Sequence, residues 1–300
     1  MEVKEILQNA GYTNITEDSK NFRMKPLYRD SSSQTVLSVR KDTGSFIDFS
    51  KNISGSLQTL IKMSLNFKTE EEALKWIESH VDGGLKIKQN NRPVIKENRV
   101  FSKTSLEKVM PQHDYWINRG ISEKTLSLFE GGVVHEGKMK NRYIFPIFDY
   151  KKNLVGVSGR DLVNDPASKR PKWKHIGDKS QWKYPMQVNN KLLKDKKEVI
   201  VVESIGDMLS LWEAGVKNVA VSFGLQIGLG LLNYFMRIDC QKIILAFNND
   251  ENKAGNKAAE KNSNRLQRYF DKNQIIIALP TEGDFGEMSQ EQIIDWKNKI

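Results

Sequence analysis

Between residues 198 and 286 the apolar positions fall into four short runs, each followed by a helical pattern or a turn. The runs are Val-Ile-Val-Val at 199–202, Asn-Val-Ala-Val-Ser-Phe at 218–223, Lys-Ile-Ile-Leu-Ala-Phe at 242–247 and Gln-Ile-Ile-Ile-Ala-Leu at 274–279. Stretches 207–214, 225–238 and 253–270 lie between them and carry the three-to-four-residue period of amphipathic helices. Strands of near-continuous β-branched residues alternating with helices predict a parallel sheet covered on both faces.

The pattern upstream is different. Residues 1–81 predict a small separate domain, with a helix over 2–11 and strand-like alternation at 22–26, 35–40 and 45–49. Asp42-Thr43-Gly44 reads as a turn there, and helices over 57–64 and 70–77 close the domain. Stretch 82–102 is polar, rich in Lys and Asn and without period, which predicts a linker. Over 103–195 a helix at 115–119 ends in Gly120, and Ser122 is placed to cap a second helix over 123–130. A hairpin follows, with strands 141–147 and 154–160 joined by a turn at 149–153. Residues 196–300 hold the parallel sheet and a closing helix over 289–300. The fold class is α/β in this last part and α+β overall.

In open parallel sheets ligands gather beyond the carboxyl ends of the strands. Here those positions hold Glu203, then Ser222-Phe223-Gly224, then Asn248-Asn249-Asp250, then Glu282-Gly283-Asp284. Acids from separate strands meet at one edge, which outlines a metal site. Each acid also has a plainer use: Asp207 can cap the helix that it opens, and Asp250 and Asp284 can form turns.

Glu203-Ser204-Ile205-Gly206-Asp207, Ser222-Phe223-Gly224 and Asn248-Asn249-Asp250 resemble the Toprim fold, shared by bacterial and phage DNA primases, topoisomerases and some nucleases. In that pattern a Glu follows the first strand and an Asp-x-Asp pair follows the third; this chain departs from it at Asn248. The resemblance implies metal ligation by Glu203, Asp250 and Asp284 with Asn248 and Asp207 nearby, and a catalytic part for Glu203. The metal implied is Mg²⁺ or Mn²⁺, since such ions take oxygen ligands and keep several waters.

The upstream run extends the resemblance to primases. Arg119-Gly120-Ile121, Phe145-Pro146-Ile147, Gly159-Arg160, Pro171-Lys172-Trp173 and Lys179 followed by Tyr184 keep the order found there. It implies that Arg119, Arg160, Lys172 and Lys179 line a groove for template and nucleotide. Arg142, Trp173 and Tyr184 are expected in the same surface, because cations track phosphates while rings offer faces for base stacking. Lys174 and Lys183 read as solvated charges, and Trp173 and Trp182 can equally be core residues. Residues 1–81 resemble the zinc-ribbon module of bacterial-type primases, but the ligand positions hold Lys25, Tyr28, Asp48 and Lys51. Zinc needs four nitrogen or sulfur ligands, so no zinc and a dry hairpin core in its place are expected; an unrelated small α+β domain is the alternative.

Formal net charge is +10 and the isoelectric point about 9.4, which favours a polyanionic partner over a merely basic soluble protein. A single cysteine, Cys240, excludes intrachain disulfides and a thiolate-rich zinc site. The four histidines lack ligand spacing, the glycines at 224–230 lack dinucleotide-binding spacing, and there is no phosphate-binding loop motif. Without a secretory segment or an apolar run of membrane length, the expectation is a cytoplasmic protein with no membrane partner. The resemblance implies a DNA primase that makes RNA primers from ribonucleoside triphosphates on single-stranded DNA. It implies a replicative helicase met in trans, since the chain stops soon after the Toprim stretch. Compact size and Lys/Asn-rich composition suit a phage replication protein. A Toprim nuclease would have no use for the basic run, and a topoisomerase would need a tyrosine in a large further domain. A non-catalytic single-strand-binding relative stays open because of Asn248.

Overall fold

A computed structural model describes residues 3–51, 53–80, 99–163, 169–251 and 253–300. Most of the linker expected at 82–102 lies outside the described residues. The chain divides into two compact units, one running from the amino terminus to residue 96 with 233–239 and 265–275 added, the other holding the rest.

The first unit contains helix α1 (Val3–Asn9), strands β1 (Thr16–Glu17), β2 (Asn21–Met24), β3 (Leu37–Arg40), β4 (Phe46–Asp48) and β5 (Ile53–Gly55), and helices α2 (Leu57–Ser64) and α3 (Glu70–Ser79). The strands pair antiparallel in chain order. Ser56 and Thr69 cap α2 and α3 through their side-chain oxygens. Ile6, Leu7, Met24, Val39, Phe46 and Leu60 form the centre of its core. All four residues of β2 are buried, including Arg23, whose Nη1 donates to Asp239 at 2.8 Å and whose Nη2 faces Asp18 at 3.4 Å.

The core of this unit is not dry where the hairpin expectation put it. The Asp48 side chain is fully buried. Arg29 donates to both of its oxygens at 2.7 Å, Tyr28 Oη at 2.8 Å and the Ser50 hydroxyl at 2.9 Å. Burial raises the Asp48 pKa, but Arg29, Tyr28 and Ser50 outweigh it and hold the carboxyl below its usual value. Of the four positions matched to zinc ligands, Tyr28 and Asp48 are thus bonded to each other. Lys25 is exposed, and Lys51 offers Asp48 only its backbone N–H, at 3.3 Å. An ion pair with its lone pairs satisfied, rather than apolar packing, fills the place.

The second unit has two sheets. Helices α4 (Asp114–Ile117) and α5 (Glu123–Leu128) lead into an antiparallel sheet in the order β6 (Gly132–Val134), β7 (Arg142–Phe148), β8 (Leu154–Asp161), β9 (Trp173–Gly177). The expected hairpin is β7 and β8; β9 is an addition that no alternation announced. Then come α6 (Met186–Lys196), β10 (Glu198–Val202), α7 (Ile205–Glu213), β11 (Val219–Val221), α8 (Leu229–Arg237), β12 (Lys242–Leu245), α9 (Ala254–Leu266), β13 (Ile275–Ile277) and α10 (Gln290–Asn298). Their sheet has the order β11-β10-β12-β13, and β10 is parallel to both of its neighbours, as predicted.

One core serves both sheets of this unit. Tyr143, Phe145, Trp182 and Tyr184 belong to the same buried cluster as Val202, Val221 and Phe223. Trp182 fits because position 156 is glycine: a Cβ there would stand 2.1 Å from the indole. At the amino end of β10, Glu198 takes Lys297 Nζ at 2.9 Å and Asn218 Nδ2 at 3.0 Å, which fastens α10 to the sheet. Among the described residues no helix is long and apolar enough to cross a membrane.

Removing one partner from a buried ion pair strands the other charge and costs about 3–5 kcal/mol. Arg29→Met should therefore destabilise the first unit by about 3 kcal/mol in urea unfolding followed at Trp76, with a smaller loss for Tyr28→Phe. Because the Asp48 pKa is depressed, the stability that it contributes is present above the ordinary Asp range and lost as pH falls through the folded value. Metal analysis should find no stoichiometric zinc, and chelation should leave the unfolding midpoint unchanged; one zinc per chain would overturn the ligand assignment.

Candidate functional site

The site is the carboxyl edge of the parallel sheet. Pairing of Val202 with Val221 brings Glu203 beside Ser222, and Gly224 N donates to the Glu203 carbonyl at 3.1 Å. Ser222 Oγ bonds the Val202 and Gly224 carbonyls at 2.9 and 2.6 Å. These bonds hold Phe223 in the left-handed region, at φ 57°, a conformation that non-glycine residues seldom take. Lys179 Nζ closes the turn by donating to the Phe223 carbonyl at 2.8 Å.

The third strand delivers Asn248 and Asp250. Asn249 N donates to the Gly283 carbonyl at 2.7 Å, so the 248–250 and 282–284 turns lie side by side. Gly255, in the first turn of α9, packs against the Asn248 carbonyl, where a Cβ would approach to 1.8 Å. Asp284 Oδ1 accepts from Gly286 N at 2.8 Å. Asp250 is exposed, while Glu203 and Asp284 are partly buried.

The acids feel one another. The Glu203 pKa is raised, first by burial, then by Asp250 and Asp284, with Lys172 and Lys179 pulling the other way. Lys179, through its bond to the Phe223 carbonyl, stands at this edge. Among the described residues Asn248 Oδ1 is buried without a hydrogen-bond partner, an oxygen whose desolvation is then uncompensated. Among the described residues no three His, Cys, Asp or Glu side chains come together closely enough to make a preformed cage. The donor set, all oxygens with excess negative charge, fits a hard cation held by one or two carboxylates and water.

Asp207 also caps the helix that follows β10. It is 2% exposed and forms a capping box on α7, its Oδ2 accepting from Ser204 N at 3.0 Å while Ser204 Oγ accepts from Asp207 N at 3.4 Å. Burial, then Asp284, raise its pKa to about 7.

The basic residues separate into two groups. Arg119 and Lys172 are exposed and Arg160 half-buried. Arg119 lies over the Tyr115 ring at 3.8 Å, and Arg160 Nε donates to Tyr115 Oη at 2.8 Å. Arg142, expected at this surface, is instead 2% exposed; its Nη1 donates to the Gly159 and Pro171 carbonyls at 3.2 and 3.0 Å. It holds β9's approach to β8. Tyr184 is fully buried and packs against Phe129 and Phe223, so it offers no face to a base. Trp182 is core as well, and Trp173 is half-buried, its ring stacked on Trp116 at 6.3 Å. Lys174 Nζ donates to the Lys138 carbonyl at 2.8 Å.

Two participants had no sequence signal strong enough to mark them. His175, on β9, packs edge-on to Trp182 and Phe223 and bonds Ser158 Oγ at 3.1 Å. Burial, then Lys179, lower its pKa to about 4, which keeps it a neutral buttress of the Phe223 turn. Tyr115 stands four residues before Arg119, one helical turn away; that spacing was its only mark.

Asp207 generates a pH dependence of known sign. A carboxyl whose folded pKa lies above its ordinary value favours the folded state when protonated, so this stability is present below about pH 4 and lost as pH rises through about 7. Asp207→Asn keeps an oxygen for Ser204 N without the charge. In metal-free buffer it should flatten the stability profile between pH 4 and 8 and gain on the order of 2–4 kcal/mol at pH 8; a profile as steep as the wild type's would remove the assignment.

Residues 200–289 match the Toprim-like family. A DNA primase of Campylobacter jejuni is 37% identical over 124 residues, 41% of this chain and 20% of that protein. A DNA primase of Borreliella burgdorferi is 27% identical over 196 residues, 63% of this chain and 36% of that protein. The chain thus spans between a fifth and little more than a third of the length of these relatives. The crystal structure of the Aquifex aeolicus primase zinc-binding and RNA polymerase domains aligns with all of this chain and 83% of its own, at 17% identity and a TM-score of 0.53. The DnaG primase catalytic domain bound to ssDNA aligns with 63% of this chain and 71% of its own, at 18% identity and a TM-score of 0.52. At such identities the structural likeness speaks for the fold alone. Residues 200–289 thus form a Toprim-like domain, and the chain as a whole is similar to part of the bacterial DNA primases.

Proposed function

We propose that the chain synthesises RNA primers on single-stranded DNA by divalent-metal-dependent nucleotidyl transfer. The observation that carries this reading is that Glu203, the 248–250 turn and the 282–284 turn stand at the carboxyl edge of one parallel sheet, with Lys179 bonded to the Phe223 turn beside Glu203. Asp250 and Asp284 would hold Mg²⁺ or Mn²⁺, with the Asn248 oxygen nearby. When bound, such an ion neutralises charge on the triphosphate and aligns it for attack. Glu203, made more basic by burial and its acidic neighbours, is suited to accept the proton of a 3′-hydroxyl. Lys172, Arg119 and Arg160 offer charge for template and triphosphate phosphates. Lys179 contributes by holding the Phe223 turn and by offsetting the acids. Template strand, ribonucleoside triphosphates and a replicative helicase are the partners that the primase likeness implies, and a phage replication system suits the composition.

A second reading, a single-strand-binding protein without synthesis, is favoured by Asn248. An amide gives an oxygen but no charge, and charge count governs affinity for a hard cation.

Ribonucleotide incorporation on single-stranded templates separates the two. Incorporation over a titration of Mg²⁺ or Mn²⁺ is expected; none at any concentration, with binding retained, would leave the second reading. Glu203→Gln should lower incorporation by at least about a hundredfold, within the range of general base loss, while single-strand binding is unchanged. Asn248→Asp should lower the metal concentration needed for half-maximal incorporation. An unchanged requirement would place Asn248 outside the metal's surroundings.

A further inference from the structure

Tyr115 gathers two arginines from separate elements. Arg119, one turn along the chain, lays its guanidinium 3.8 Å above the ring centroid and donates Nη1 to the Tyr115 carbonyl at 3.1 Å. Arg160 reaches the same ring from β8, its Nε donating to Tyr115 Oη at 2.8 Å and its guanidinium carbon 5.8 Å from the centroid. Both cations therefore stand within 6 Å of one neutral ring. The nearby arginines are different: Arg170 is bound to Asp161 at 2.8 Å and Arg142 faces the same carboxylate at 3.9 Å. Among the described residues neither Arg119 nor Arg160 makes an ion pair. Two like charges held together without a counter-charge repel, and an anion with more than one negative centre relieves them.

The orientation adds to this. Using Nε on the tyrosine fixes the plane of the Arg160 guanidinium and leaves its two terminal nitrogens as the fork that matches a phosphate. Arg160 is paired across the sheet with Trp173, the neighbour of Lys172, whose charge is felt at Glu203.

We propose that Tyr115 is a positioning residue that presents Arg119 and Arg160 as one two-pronged site for adjacent phosphates of a single strand. This rests on the single-strand binding part of the function proposed above. Tyr115 does not contact the strand through its hydroxyl; it acts through Arg160.

The test uses the full chain and a fluorescent oligothymidylate, with affinity measured across a salt series for the wild type, Tyr115→Phe, Arg160→Ala and the double variant. Tyr115→Phe removes one oxygen from a half-buried ring and keeps the Arg119 stack. It should weaken binding roughly tenfold, the scale of a lost hydrogen bond to a charged group. It should also lower the slope of log K against log salt by about 0.7, one single-strand phosphate contact. In the Arg160→Ala background it should change neither. Equal losses on both backgrounds, or an unchanged slope, overturn the proposal whether or not primers are made. Non-additive losses without primer synthesis support it and remove only the polymerase reading. Absence of oligothymidylate binding by the wild type overturns the proposal together with the binding part of the proposed function.

Discussion

Everything at the candidate site depends on the parallel pairing of β10 with β11 and β12. The three strands stop within a residue or two of one another, so the side chains after them emerge at one edge. Glu203 follows β10, Ser222 follows β11 and the 248–250 turn follows β12. The same pairing reaches the basic part of the unit, because Val221 N donates to the Tyr184 carbonyl at 2.9 Å. Tyr184, Trp182 and Phe223 then pack as one block. A shift of one residue in β11 would move the Phe223 turn, the Lys179 contact and the cationic strand β9 together.

The electrostatics of the edge are those of a surface prepared for a ligand. A carboxylate cluster with a raised Glu203 pKa is strained by its own charge, and the two lysines offset that strain only in part. Further from the sheet the balance reverses, with the Arg119 and Arg160 guanidiniums held by Tyr115 instead of by carboxylates. Negative and positive fields thus adjoin, which suits the metal-bound triphosphate of the proposed function.

Much of this was legible in the chain. The runs at 199–202 and 243–247 are wholly buried in the structure as β-branched strands of a two-sided sheet should be, and Ser122 caps the helix that it precedes. The acids could be placed because strand ends follow from the runs. What failed was the sorting of cations and rings by depth. In β7 six consecutive residues, 142–147, are buried, so no alternation told Arg142 from a surface arginine. Its role appears only when the Gly159 and Pro171 carbonyls arrive from other parts of the chain. Tyr184 sits among lysines in sequence and among phenylalanines in space. Strand β9, half-buried from Trp173 to Ile176 and exposed at Gly177, carried no period to read. Asp48 meets Tyr28 and Arg29 from 20 and 19 positions away, beyond the reach of any local pattern, and the loss of zinc ligands suggested a dry hairpin core where an ion pair stands.

That ion pair bears on how the first unit withstands oxidants. A ribbon held by metal thiolates loses its clasp when sulfur is oxidised, because oxidised cysteine no longer coordinates. A guanidinium, a carboxylate and a phenol offer peroxide no comparable target. Residues 1–81 contain no cysteine, and the chain's single thiol, Cys240, is buried. The fold of this unit should therefore persist through redox swings that would unfasten a thiolate-clasped ribbon.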